Sequence, residues 1–182
     1  MTTPMEMRMQ FSMYQATAPG FVHILTQLKH ILKKGEDYAA ARKIEPTVLT
    51  TARLFPDMLP LNRQIHIATD QVKFCMSRLA GAEAPKFDDT EKTFEELQAR
   101  IDKTIAHIQS FKPAQIDGSE NKTIEIKPAN GNPRKYQGMN YVFDSVYPNF
   151  FFHVTTTYAI LRHNGVELGK ADFLGDHEHV KR

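Results

Sequence analysis

The stretch MNYVFDSVYPNFFFHVTTTYAILRHNGV, Met139 to Val166, decides the fold of this 182-residue chain. Val146, Phe150, Val154 and Leu161 recur at helical spacing with Tyr147 and Tyr158 beside them, so one face is built for a core. The spacing predicts one long helix, interrupted once. Pro148 has no N–H to donate to the carbonyl of Asp144, and a bend is expected there. The freed carbonyl lies one turn before Asn149 and His153, which marks a place on the fold without naming a reaction.

Working outward, three more stretches carry the same period. Tyr14, Ala18, Phe21, Leu25, Leu28 and Leu32 form the seam of a helix over Ser12 to Lys34, with Gly35 as its expected stop. The segment Tyr38 to Leu54 is mixed in period and reads as a connection, with Pro46 opening a short helix. Leu61, Ile65, Ala68, Val72, Met76 and Leu79 define a second long helix over Leu59 to Leu79, ended by Gly81. Phe94, Leu97, Ile101, Ile105 and Ile108 give a third over Thr90 to Phe111, with Asp88 and Glu91 as its expected capping pair. Between the third helix and the last, Ile124 and Ile126 alternate, and Asn130-Gly131 supplies a turn before Arg134, Lys135 and Tyr136. That texture predicts a small β-hairpin. Asn164-Gly165 reads as a left-handed cap on the last helix. The expected fold class is all-α, a four-helix bundle with a hairpin between helices three and four, in one domain over 1–182 with a short flexible tail from about 176 to 182.

Composition narrows the classes. The chain is 41% hydrophobic and 24% charged, and its 23 basic residues are interspersed with 21 acidic ones for a net charge of +2. That balance supplies no nucleic-acid surface. Nowhere do about eighteen apolar residues run without charge, and the start MTTPMEMRMQ has no signal-peptide core, so neither a membrane partner nor secretion is expected. The single cysteine, Cys75, cannot pair within the chain, which fits a reducing, cytoplasmic setting.

RLFPDMLPLNRQ (Arg53 to Gln64), PNFFFHVTTTYAILRHNGV (Pro148 to Val166) and the opening SMYQATAPGF (Ser12 to Phe21) resemble a bacterial branch of unknown function within the DinB-like, or YfiT-like, four-helix bundles. The resemblance covers almost the whole chain. It implies an up-down-down-up bundle with a crossover connection, a homodimer, and in many members a divalent metal held by three histidines. Two of these sit four residues apart on the last helix and the third lies on the second.

This chain departs from that pattern. His153 matches the first of the pair, but four residues on stands Thr157, and four residues back stands Asn149, a poorer transition-metal ligand. His163 is displaced by roughly 80° and about 15 Å along a straight helix. Measured against their own apolar stripes, His66 and His107 should face solvent, leaving His153 as the one histidine on an inward edge. It reads either as a core histidine satisfied by a neighbour or as a ligand or catalyst. His177 and His179 read as solvated tail. Cys75 reads as a small buried hydrophobe. Asp57, Arg63 and Gln64 read as capping and surface ion pairing, or as a polar cluster. Phe151 and Phe152 lean outward and mark a candidate subunit interface.

Two functions follow, and the sequence leaves open whether the protein is an enzyme. The first is a small-molecule-binding or non-catalytic homodimer, with Asn149, His153, Thr157 and Asn62 lining a pocket beside the Pro148 bend. The second, on the strength of the resemblance, is a metal-dependent enzyme of hydrolase or transferase type, with His153 among the ligands of a zinc or nickel ion.

Overall fold

The computed structural model describes residues 11–127 and 131–175. The turn residue Asn130 and the tail histidines His177 and His179 lie outside that range. In order, the chain forms α1 (Ala18–Ala41), α2 (Pro46–Thr50), α3 (Leu61–Ala80), α4 (Phe94–Gln109), α5 (Pro113–Ile116), β1 (Thr123–Ile126), β2 (Arg134–Gln137), α6 (Gly138–Asn140), a π-helical segment (Tyr141–Val146), α7 (Tyr147–His163) and α8 (Lys170–Leu174). The strands pair antiparallel, with Ile124 opposite Tyr136. The fold is therefore an all-α bundle with a small hairpin, as the periodicity predicts. Helix α3 is the hub, packed on α7 at one side and α4 at the other, while α1 closes against α4 and carries α8. Phe21, Leu25, Ile65, Val72, Leu97, Ile101, Val146, Phe150 and Leu161 are fully buried in a single core cluster.

Four boundaries differ from expectation: α1 starts at Ala18 and not Ser12, with Pro19 in its first turn, and three more differ for a packing reason. Gly35 does not end α1, which continues to Ala41. A β-carbon there would come 3.1 Å from both Leu161 and Phe94, so this glycine is a close-approach point where three helices meet. Tertiary contact outweighs the roughly 1 kcal/mol that glycine costs a helix interior. Helix α4 starts at Phe94 under a capping box of Thr93 and Glu96, because Glu91 is engaged elsewhere. The last helix runs through Pro148 without a break but changes type just before it. The chain first widens into the π-helical turn, where Tyr147 N–H bonds Val142 O five residues back, and Pro148 then occupies the first turn of α7. Because the helix is already widened to five-residue spacing just before Pro148, the junction accommodates the ring and the missing donor without ending the helix. At the other end Gly165 takes the left-handed conformation expected of it, φ 92°, and Val166 N–H closes on Leu161 O.

Candidate functional site

One face of α7 passes from solvent into the core over two turns. Asn149 is exposed, His153 is 8% exposed, and Thr157 is fully buried with its hydroxyl donating to His153 O at 3.0 Å. Opposite His153, α3 presents Gln64, itself 1% exposed. The imidazole Nδ1 and the Gln64 Oε1 are 2.6 Å apart, and the Gln64 amide nitrogen donates to Leu59 O at 2.9 Å. Burial holds the His153 imidazole below its ordinary value, so the ring is neutral near pH 7. Asn62 is half-buried and uses its side-chain oxygen on the N–H of Arg63. The residue that meets His153 from the second long helix is thus Gln64, which the sequence placed in a capping or ion-pairing role.

Next along α7, on the far side of Phe152, lies an apolar cleft of about 410 Å³ between the segment before α3 and the outer face of α7, lined by Leu54, Met58, Phe151, Phe152, Thr156 and Ala159, with neither His153 nor Gln64 in its wall. Phe152 stands edge-on to the His153 ring at 5.3 Å. From Phe151 an aromatic row continues through Tyr147 (5.6 Å) and Phe143 (5.7 Å) to Phe11 (6.4 Å). Phe151 and Phe152 do face outward, at 37% and 56% exposure.

The opposite side of α3 carries a second cluster that the sequence reading missed. His66, expected at the surface, is 2% exposed because the segment 82–93 folds over it. Arg63 donates to its Nδ1 at 3.3 Å, which leaves the imidazole proton on Nε2, 3.0 Å from Glu91 Oε2 though not aligned as a hydrogen bond. Arg100, fully buried on α4, donates to Thr69 Oγ1 and Asp70 Oδ1 and lies 2.8 Å from Asp89 Oδ1. Lys73 pairs with Asp70 at 2.7 Å and sits over the rings of Phe74 and Phe87. Burial first, then the Arg100 charge, lowers the His66 pKa. Burial raises the Asp89 carboxyl, but Arg100, His66 and Arg63 together outweigh it and hold it below the usual carboxylate range. His107 is likewise not free at the surface: it is half-buried and bonds Ser77 Oγ at 2.8 Å. Inward-facing Arg100, one position before Ile101 on the apolar stripe, was the available signal, since a buried guanidinium requires carboxylates.

Neither cluster offers the donor set of a three-histidine metal centre. At His153 one imidazole nitrogen is taken by Gln64, and the hydroxyl of Thr157 is committed to its own helix. His66, Asp89 and Glu91 do bring three ligand-type atoms within 4.8 Å of one another. Yet Arg100 already holds both carboxylates, and Asp70, Asp89 and Glu91 are balanced by Arg63, Lys73 and Arg100, so an added dication would face a buried guanidinium. Cys75 is fully buried, and burial pushes its thiol far up, which makes it inert packing.

The family described as Domain of unknown function (DUF1993) matches residues 13–174. Among solved structures, the chain is similar to the crystal structure of a DinB family member protein from Shewanella denitrificans, at 36% identity over 93% of this chain and 95% of that one, with a TM-score of 0.84. No curated protein matches.

Proposed function

We infer that this chain, which belongs to the DUF1993 family and folds as a DinB-like bundle, is a binding protein that works as a homodimer, its aromatic α7 face seated on that of a second copy. The observation that supports this reading is the continuous apolar surface from Phe11 through Phe143 and Phe151 to the cleft at Leu54 and Met58. Phe143, Phe152, Phe55, Leu54 and Leu59 expose between 36% and 65% of their surface. Aromatic and leucine side chains of that exposure add up to several hundred Å², on the order of the apolar centre of an interface of about 800 Å² per partner. Light scattering on the purified protein at micromolar concentration is expected to return twice 20.8 kDa. Phe143→Glu and Phe152→Glu should each return one chain's mass. A monomeric wild type overturns the dimer.

The competing reading, a metal-dependent enzyme using His153, has in its favour the second nitrogen of that ring. It lacks the companion imidazoles that hold zinc or nickel. Protein purified without a polyhistidine tag should carry well under one equivalent of transition metal. Elemental analysis near one zinc, nickel or iron per chain, lost in His153→Ala, reverses the ranking.

A further inference from the structure

The contact between α3 and α7 fixes more than a distance. Gln64 cannot turn its amide over: its nitrogen donates to Leu59 O, and a flipped amide would set oxygen against oxygen there. With the amide so oriented, Oε1 faces His153 Nδ1 at 2.6 Å, and only an N–H can occupy that contact. The proton of the neutral ring is therefore on Nδ1, and Nε2 carries a lone pair. Nε2 has no hydrogen-bond partner among the described residues, and unlike His66 Nε2 it is not sealed from solvent. The nearby hydroxyls have nothing to give it, since Thr156 donates to Phe152 O at 2.7 Å and Thr157 to His153 O. The acceptor is held ready and its donor must come from outside the chain.

We propose that Gln64 is a positioning residue that locks His153 in the Nδ1–H tautomer, and that His153 Nε2 is a subsite for the neutral O–H or N–H donor of a small ligand with an apolar body. The apolar body is argued from the Phe152 ring standing edge-on to the imidazole, with the cleft beyond it. Neutrality is argued from the wall of the cleft, which carries no charged side chain, so nothing there compensates a ligand anion. The inference rests on the binding reading and not on the dimer, and the monomeric background separates the two.

The test uses ¹⁵N-labelled full-length chain, wild type and Phe143→Glu, with phenol as the probe. Long-range ¹H–¹⁵N spectra at pH 7.5 are expected to show His153 protonated at Nδ1 and bare at Nε2 in both proteins. Gln64→Leu, which removes the acceptor opposite Nδ1, should release that tautomer. Phenol should shift the His153 ring resonances saturably, with roughly fivefold weaker affinity in Gln64→Leu, the factor for one neutral hydrogen bond. A wild-type ring protonated at Nε2 overturns the tautomer lock. His153 resonances unmoved by phenol in both backgrounds overturn the subsite, and equal affinity in Gln64→Leu overturns the positioning role of Gln64. Binding restored only in Phe143→Glu would place the second copy over the subsite and remove it from the dimer's function.

Discussion

Helix α3 meets its two neighbours with opposite chemistry. Toward α7 it presents Gln64 to a neutral histidine, a single directed contact with one ring nitrogen left over. Toward α4 it presents His66, Asp70 and Lys73 to a buried guanidinium, a balanced set of three anions and three cations closed by the segment 82–93. The second cluster is richer in groups that usually signal chemistry, and it is the less available of the two. Its charges are spent on one another, and buried pairs of this kind serve position rather than turnover. The sparse side keeps the open valence.

The comparison can be broken from either side. Arg100→Leu removes the cation shared by Asp70, Asp89 and Glu91 and should cost about 2–4 kcal/mol in urea unfolding, since carboxylates are left with fewer partners in a poorly hydrated place. A loss below about 1 kcal/mol would mean that the cluster is solvated and holds little. His153→Ala should cost less, about 1–3 kcal/mol, from lost packing and the unpaired Gln64 oxygen, and should still give a folded helical protein by circular dichroism. If the spectrum collapsed, the neutral side would be the structural keystone and the roles assigned here would exchange.

Acid sharpens the contrast further. His66, His107 and His153 all have lowered folded-state pKa values, with burial the first cause in each. The folded chain therefore binds fewer protons than the unfolded chain below the ordinary imidazole value of about 6.5. Stability fully present above that pH should fall as the pH drops toward the folded-state values. Urea midpoints at pH 7.5, 6.5 and 5.5 should decrease in that order, and His66→Gln should flatten the decline. An unchanged slope in that variant would assign the acid sensitivity to the other two histidines. The smallest effect on the stability of the single chain is expected from Phe143→Glu, within about 0.5 kcal/mol at a concentration where the wild type is dissociated as well, because the ring is 44% exposed and its change acts on association.

What the sequence determined by itself was whatever a single helix decides. The apolar stripes gave four long helices, and Ile124 with Ile126 gave the hairpin, because side-chain period is a property of the local backbone. The inward edge of His153 was legible for the same reason. The angle of His66 from the α3 stripe was read correctly as an angle and wrongly as exposure, since helical phase says nothing of a segment that later folds across that side. Gly35 was misassigned as a stop because its partners, Leu161 and Phe94, are distant in the chain, and Glu91 as a cap because the segment before α4 turns it onto Arg100 instead of the first turn of α4. Only the tertiary structure set Gln64 against His153 and the carboxylates against Arg100. Those pairings depend on which faces α3 turns to α7 and to α4, and that choice is made by the packing of the whole core.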